Sequence, residues 1–328
     1  MVALHAIDLY KHHRIIMSKS KTFFPRRLIV LCLLTLAALH AQDVRTPAVS
    51  FLMVSDIGGR GSPDQRAVAA AMGKEAARVS ARFVVTAGDN YHEDGIASAS
   101  DPRWKVEFED VYAHPALQIP WYPSLGNHDY RGNVDAEIEY SNLSGRWKLT
   151  SRYYAQKVQI DDTSSLLIVH LDTSPFLQAY QDEPGVYHLS GQNASIQLRW
   201  LDSVLSHTEA QWRIVVGHHP IYAAAPKLGD TKELVDGVLP DLKNHGVSMY
   251  VSGHDHILQH LKRDSIDFVI CGGGAKHRET EQREDVVFGV RSLGFVSVTA
   301  TAGELVVNYV DSANTLLHSF TRSSSPAK

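Results

Sequence analysis

Val251-Ser252-Gly253-His254-Asp255-His256 closes an apolar run that begins at Val247 and is predicted to be a buried strand. His254 and His256 stand two positions apart, and on an extended backbone such side chains point to the same face. In open α/β sheets, ligands bind beyond the carboxyl ends of the strands. One His-x-His pair is a weak signal alone, so its meaning depends on whether other strands end in matching ligands.

A strand–helix–strand unit lies near the start of the folded part. The apolar run 49–54 is followed by Asp56, a helix is predicted from Ser62 to Val79, and the apolar run 83–86 is followed by Asp89. Two strands joined by a helix predict an α/β fold with parallel strands. Further helices are predicted over 103–112, 137–148, around 200–205 and over 232–244, and further strands over 153–160, 166–171, 213–216, 295–299 and 305–310.

The chain has 328 residues, a formal net charge of -4 and 21% charged residues, which is typical of a globular protein. We predict one catalytic domain over 42–322 and a disordered tail over 323–328. The small negative charge favours neither nucleic acid nor an anionic membrane as a partner, and we expect a monomer.

The N-terminus has the order of a secretory signal peptide. Basic residues precede a short apolar run, 28–39, and small residues follow it up to Ala41. The run is shorter than the about 20 residues of a membrane span. We predict a signal peptide over 1–41, cleaved near Ala41, and a secreted or periplasmic protein without stable membrane insertion. Residues 1–16 fit an extension before the true start at Met17, and an uncleaved membrane anchor is the alternative.

Five predicted strand ends carry Asp, Asn or His side chains. They are Asp56, Asp89, Asn127 with His128, His218 with His219, and His254 with His256. Carboxylate oxygen, amide oxygen and imidazole nitrogen suit divalent or trivalent ions, and no thiolate is offered. The set exceeds one tetrahedral zinc site and fits two metal ions about 3.5–4 Å apart that share a carboxylate. Each motif alone is also compatible with an ordinary turn, but their recurrence at five strand ends favours a metal centre.

The motifs in this order resemble a known superfamily. The series is Asp56-x-Gly58, Gly88-Asp89, Gly126-Asn127-His128-Asp129, Val215-x-x-His218 and Gly253-His254-x-His256. It resembles the calcineurin-like metallophosphoesterases, and within them the small animal-type purple acid phosphatases (tartrate-resistant acid phosphatases), over about residues 50–320. The resemblance implies the metallophosphoesterase fold, a four-layer α/β/β/α sandwich of two mixed sheets built from βαβ units.

The resemblance also implies roles for the site residues. The first metal would bind Asp56, Asp89 and His256, and the second would bind Asp89, Asn127, His218 and His254, with Asp89 as the bridge. Iron is implied at the first site, and zinc, manganese or iron at the second. The catalytic residues would be Asp89 and His128, and the substrate-binding residues Asn127, His128, His219 and Lys227.

Two positions depart from the purple enzymes. Those enzymes carry a tyrosine three residues after the bridging aspartate, whereas this chain has His92 there and Tyr91 one residue earlier. We predict that His92 binds the first metal, the alternative being a solvent-facing His92 with Tyr91 turned inward. About nine residues after His218 the animal enzymes have another histidine, and this chain has Lys227. A lysine is a poorer proton donor in acid, so the resemblance does not carry an acid pH optimum over to this chain.

The predicted reaction is hydrolysis of phosphate monoesters by a metal-bound hydroxide, with small phosphorylated molecules as substrates. The alternatives are a phosphodiesterase or nucleotidase of the same superfamily, and a catalytically weak secreted protein that binds metal or phosphate. Residues 174–193 are rich in turn-forming residues and long for a loop, which is typical of a lid or binding loop.

Overall fold

The computed structural model describes residues 46–324. The predicted signal peptide over 1–41, its extension over 1–16 and residues 325–328 therefore lie outside the described residues. The described strands are β1 (Val49–Val54), β2 (Val84–Ala87), β3 (Trp121–Ser124), β4 (Tyr154–Gln159), β5 (Ser165–His170), β6 (Trp212–Val216), β7 (Met249–Ser252), β8 (Leu258–Arg263), β9 (Ile266–Cys271), β10 (Val286–Val290), β11 (Gly294–Ala300), β12 (Glu304–Asp311) and β13 (Leu316–Ser323).

Most helices lie in the connections between these strands. They are α1 (Pro63–Val79), α2 (Val134–Tyr140), α3 (Gln178–Gln181), α4 (Ala194–Ser206), α5 (Lys232–Gly237) and α6 (Leu239–Asn244). A π-helix covers Trp104–Glu109, and single 3₁₀ turns cover Pro115–Leu117, Asp129–Arg131 and Ser174–Phe176. Among the described residues no helix is both long and apolar enough to cross a membrane.

Two mixed sheets form the centre of the molecule. One has the order β13-β12-β11-β1-β2-β3 and the other β10-β8-β9-β7-β6-β5-β4. Strands β1, β2 and β3 are parallel to one another, as are β5, β6, β7 and β9, and the remaining pairs are antiparallel. The parallel segments place the ends of β1, β2 and β3 at one sheet edge, and those of β6 and β7 at one edge of the other sheet.

Three apolar clusters show how the layers stack. Along β1, Phe51 and Met53 enter the cluster between the two sheets, whereas Leu52 and Val54 enter the cluster that also contains Val68 of α1. This alternation is the two-residue period of a strand that is buried on both faces. A third cluster joins β5, β6 and β7 to α4, α5 and α6. Helices, sheet, sheet and helices therefore form the predicted four-layer α/β/β/α sandwich.

The structure corrects three predicted boundaries. The helix predicted over 137–148 ends at Tyr140, and the helix predicted over 232–244 is two helices that meet at Val238. Pro240 has no N–H to continue the first of these, which is why the helix breaks there. The chain is also ordered past Arg322, because β13 reaches Ser323 and the Ser324 N–H donates to the Gly303 carbonyl.

Candidate metal centre

The first group of candidate ligands follows β1, β2 and β7. Asp56, Asp89, His92 and His256 are all buried, and one ligand atom from each lies within 4.8 Å of the others. The His256 Nε2 is 3.2 Å from Asp56 Oδ1, and the His92 Nε2 is 3.5 Å from Asp89 Oδ2. Ligand atoms about 2.1 Å from a shared ion are separated by roughly these distances. We call these four residues site one.

The second group is centred on His218. Its Nε2 lies 3.2 Å from Asn127 Oδ1, 3.2 Å from His254 Nδ1 and 3.3 Å from Asp89 Oδ2. Asn127 follows β3, His218 follows β6 and His254 follows β7, so the residues come from both sheets. Since Asp89 Oδ2 faces both His92 and His218, its carboxylate lies between the two groups. We call Asp89, Asn127, His218 and His254 site two.

The donor set fits two bound cations. Asp56 Oδ1 and His92 Nε2 are buried and have no hydrogen-bond partner. Buried polar atoms are rarely left unpaired, so buried atoms of this kind that face one point are typical of ligands for a cation. Carboxylate, amide and imidazole groups are ligands for divalent and trivalent ions, which fits two metals that share Asp89.

Backbone carbonyls fix the orientation of the imidazole rings. The His218 Nδ1–H donates to the Ala87 carbonyl at 2.9 Å, and the His92 Nδ1 faces the Gly58 carbonyl at 2.5 Å. A carbonyl on Nδ1 keeps the proton there and leaves Nε2 free to bind a metal. The loop after β7 packs closely on the loop after β1 at Gly253, where any side chain would collide with Ser55 and Asp56.

Asp129 supports the site from behind, a role that the sequence did not indicate. Its Oδ2 accepts from the Gly126 N–H at 2.8 Å and its Oδ1 accepts from the Tyr91 N–H at 3.0 Å. These bonds join the loop after β3 to the loop that carries Asp89 and His92. Burial and the nearby Asp89 charge raise the pKa of Asp129 to about 6. The sequence signal for this supporting role was the position of Asp129 in the motif Gly126-Asn127-His128-Asp129.

Opposite charges set the pKa values of Asp56 and His218, whereas burial lowers the pKa of His254 to about 3. Burial alone would raise the pKa of Asp56, but the His256 and His92 imidazoles hold it well below its usual range. Burial alone would lower the pKa of His218, but the Asp89 carboxylate outweighs it and raises the pKa to about 9. Without metal, the centre is therefore an ionic cluster in which His218 carries a proton at neutral pH.

Metal affinity should therefore increase with pH. An ion at site two must displace the His218 proton, whose pKa is raised to about 9. Below that pH each unit of acidification should weaken binding by about tenfold for each proton displaced. Chelator competition between about pH 6 and pH 8 measures this slope. Affinity independent of pH over this range would contradict ligation by His218.

The structure also locates the predicted substrate-binding residues. His128 is half-buried, its backbone N–H donates to Asp89 Oδ1 at 2.9 Å, and its Nδ1 lies 3.1 Å from the Glu93 carbonyl. His219 is buried next to His218 and His254, with its Nδ1 2.8 Å from Thr173 Oγ1. Both residues therefore adjoin the two groups of candidate ligands.

Lys227 is not among the residues that the structure brings together at sites one and two. It is exposed and lines a separate cavity of about 330 Å³. The prediction that Lys227 contacts the reacting phosphate has no support from this placement. The physical reason is that the loop after Pro220 carries residues 225–228 to the wall of that cavity.

Tyr91 points away from the candidate ligands. Its ring packs edge-on against Trp104 at 4.9 Å and lies under Arg103, inside the cluster between β1 and α1. His92, in contrast, is buried at site one. Of the two arrangements considered from the sequence, the structure has His92 facing the cluster and Tyr91 in the core.

Known proteins resemble this chain in sequence and in fold. Residues 49–258 match the calcineurin-like phosphoesterase family. Purple acid phosphatase 4 of Arabidopsis thaliana is 36% identical over 284 residues, which cover 83% of this chain and 82% of that protein. Tartrate-resistant acid phosphatase type 5 of Homo sapiens is 33% identical over 311 residues, 87% of this chain and 94% of that protein.

A solved structure shows the same fold at lower identity. The Plasmodium protein described as GAP50, the anchor in the inner membrane complex, superposes with a TM-score of 0.76 and 21% identity, over 86% of this chain and 90% of that one. The likeness covers most of both chains and supports the fold alone. From the family match and the two phosphatase relatives, the chain belongs to the calcineurin-like phosphoesterases and, within them, to the purple acid phosphatases.

Proposed function

We propose that the protein is a dinuclear-metal phosphatase that hydrolyses phosphate monoesters at sites one and two. The observation that carries this proposal is the position of Asp89, whose Oδ2 faces His92 at 3.5 Å on one side and His218 at 3.3 Å on the other. One carboxylate between two ligand groups is the arrangement of two-metal hydrolytic centres. The acid phosphatase relatives support the reaction class.

Each residue has a defined task in this proposal. Two cations, when bound, neutralise phosphate charge and lower the pKa of a coordinated water. Asp89 sets the spacing of the two sites, and Asn127 orients the substrate at site two. His128 donates a proton or hydrogen bond from Nε2 to the departing oxygen when its ring is doubly protonated, because the Nδ1–H is already held by the Glu93 carbonyl. Burial lowers the pKa of His128, so this donation should weaken as the pH rises.

Comparison of two substrates tests the reaction class. We expect p-nitrophenyl phosphate to be hydrolysed much faster than bis(p-nitrophenyl) phosphate by the metal-loaded protein. The reverse preference would favour the phosphodiesterase alternative. A protein loaded with two ions and inert to both substrates would favour the metal- or phosphate-binding alternative.

We propose iron at site one and zinc, manganese or iron at site two, with His92 in place of the phenolate of purple enzymes. Neutral imidazole donates less charge than phenolate and stabilises iron(III) less, so divalent or mixed pairs are expected. Metal analysis of the purified protein identifies the pair.

The proposal also includes export after cleavage near Ala41, which N-terminal sequencing of the mature protein tests. It further includes a monomeric catalytic domain over 42–322, which light scattering tests.

The visible spectrum provides a prediction about His92. The iron-loaded protein should have no intense visible band, because the Tyr91 hydroxyl is buried against Trp104 and not at site one. His92→Tyr should create such a band if the phenolate reaches the iron, and Tyr91→Phe should leave the wild-type spectrum unchanged. An intense wild-type band abolished by Tyr91→Phe would refute ligation by His92.

A second prediction concerns the loop over 174–193. Its Tyr180 hydroxyl lies 3.0 Å from His219 Nε2, and the Tyr180 ring packs against Tyr187 at 4.3 Å. This contact places the loop beside site two, so it should restrict bulky substrates. Tyr180→Ala should raise kcat/KM for a phosphopeptide relative to p-nitrophenyl phosphate severalfold. Tyr153→Ala, which lies outside this contact, is the matched control and should leave the ratio unchanged. An unchanged ratio in Tyr180→Ala would count against a lid.

A further inference from the structure

The cavity that contains Lys227 borders the loop that carries His254 and His256, because Asp255 is part of its lining. It has a volume of about 330 Å³, and the polar residues of its lining are Lys227, Asp255, His277, Arg278, Glu279 and Arg291. Asp255 separates His254 from His256, and the Arg278 N–H donates to the His256 carbonyl at 2.8 Å. Residues of the cavity wall are therefore bonded to the backbone of the candidate metal centre.

Two cations in this cavity lack an ion-pair partner within the described part of the chain. Arg291 is neutralised by Glu279 at 2.5 Å and also donates to His277 at 3.0 Å. Lys227 and Arg278, in contrast, form no salt bridge, and their side chains make no hydrogen bond there. The cavity thus holds two cations that no salt bridge among the described residues neutralises, beside the buried carboxyl group of Asp255.

A buried carboxylate lies in the same cavity without a partner. Asp255 is 1% exposed, and neither of its carboxylate oxygens accepts a hydrogen bond. Unpaired buried polar atoms of this kind are rare, and a bound group that donates hydrogen bonds would satisfy them. Cations next to an unpaired acceptor match a ligand that carries both an anionic group and hydroxyl groups.

The walls of the cavity are held together by the fold. The Glu281 N–H donates to the Ala224 carbonyl at 2.9 Å, and the Gln259 side-chain amide donates to the same carbonyl at 3.0 Å. These bonds tie the segment that carries Lys227 to the segment that carries Arg278 and to β8. A cavity with its walls bonded in this way is preformed, which reduces the entropy lost on binding.

We infer that this cavity is a subsite for the leaving group of the substrate, and that it selects phosphate monoesters of polyhydroxy compounds bearing a second anionic group. Lys227 and Arg278 would bind the second anion, and Asp255 would accept from a hydroxyl group. The inference rests on the proposed function, because the phosphate ester itself must bind at sites one and two. It gives Lys227 a role different from the predicted contact with the reacting phosphate.

A matched pair of substrates tests this subsite. Sorbitol 6-phosphate and 6-phosphogluconate have the same carbon chain and differ at the far end, where the second carries a carboxylate. The wild-type, metal-loaded protein should prefer 6-phosphogluconate by about tenfold in kcat/KM, the size expected from a charge-assisted hydrogen bond. Added salt should reduce the preference, since the cavity is open to solvent.

Charge variants assign the preference to the cavity. Arg278→Gln and Lys227→Ala should each bring the ratio of the two kcat/KM values towards one. Lys157→Ala, which removes an exposed cation on β4 at the other end of the same sheet, should leave it unchanged. A wild-type ratio near one, or a ratio that Arg278→Gln does not alter, would overturn the inference. Failure of the proposed function is distinguishable, because neither ester nor p-nitrophenyl phosphate would then be hydrolysed.

Discussion

Asp89→Ala should abolish both metal sites and nearly all phosphatase activity. The Asp89 carboxylate faces His92 and His218 and also accepts from the His128 N–H, so its removal affects every part of the centre. Bound metals contribute several kcal/mol to the transition state of such hydrolyses. At about 1.4 kcal/mol per tenfold, kcat should fall by at least about 10³. Metal analysis should find fewer than two ions per chain.

Controls separate loss of ligation from loss of fold. Asp89→Asn keeps the shape of the side chain and the hydrogen bond to His128 but removes the negative charge, so it should fold and still lose activity. Asp162→Ala removes an exposed carboxylate from the β4–β5 turn and should be silent. A folded Asp89→Ala protein that kept two ions and normal kcat would contradict the bridging role.

His128→Ala should reduce kcat while both metals remain bound. General acid catalysis contributes typically 10² to 10⁴, so a loss of about 10² or more is expected. The loss should be larger for phenyl phosphate than for p-nitrophenyl phosphate, because the poorer leaving group needs the proton more. The His128 side chain contacts the Glu93 carbonyl through Nδ1 and is no member of either ligand group.

The dependence on the leaving group distinguishes proton donation from simple binding. An equal loss for both substrates, or a loss only in KM, would assign His128 to phosphate binding instead. His207→Ala, at the exposed end of α4, is the matched histidine control and should leave kcat unchanged. Loss of metal in His128→Ala would show that the residue supports the ligands and not the leaving group.

Much of the fold and most of the site followed from local sequence patterns. Strand β1 was predictable because five of its six residues are apolar, and the helix after it because Ser62 and Pro63 mark its start. The α/β class and the grouping of strand-end ligands follow from such patterns. The four layers were implied by the family resemblance, and the structure has them.

The remaining features depend on contacts between distant residues. Asp129 supports two loops through hydrogen bonds to Gly126 and Tyr91, and no local pattern shows which amides a carboxylate will reach. The predicted role of Lys227 in substrate binding stays a prediction, because spacing from His218 does not define the path of a loop. The choice between Tyr91 and His92 likewise depended on which ring Trp104 would pack against.

The backbone of the candidate ligands has a consequence for the evolution of the site. Asp56, Asp89, His254 and His256 all have φ between 51° and 67°, in the left-handed region. Such a conformation costs an ordinary residue roughly 1–2 kcal/mol, and glycine adopts it without this penalty. Glycine would lower this local cost, but it would also remove the hydrogen bonds that Asp56 and Asp89 accept from the His254 and His128 N–H groups. Each candidate ligand therefore combines a strained backbone with a side chain that glycine cannot replace, and glycine at these four positions in a homologue would mark the loss of its metal ligands.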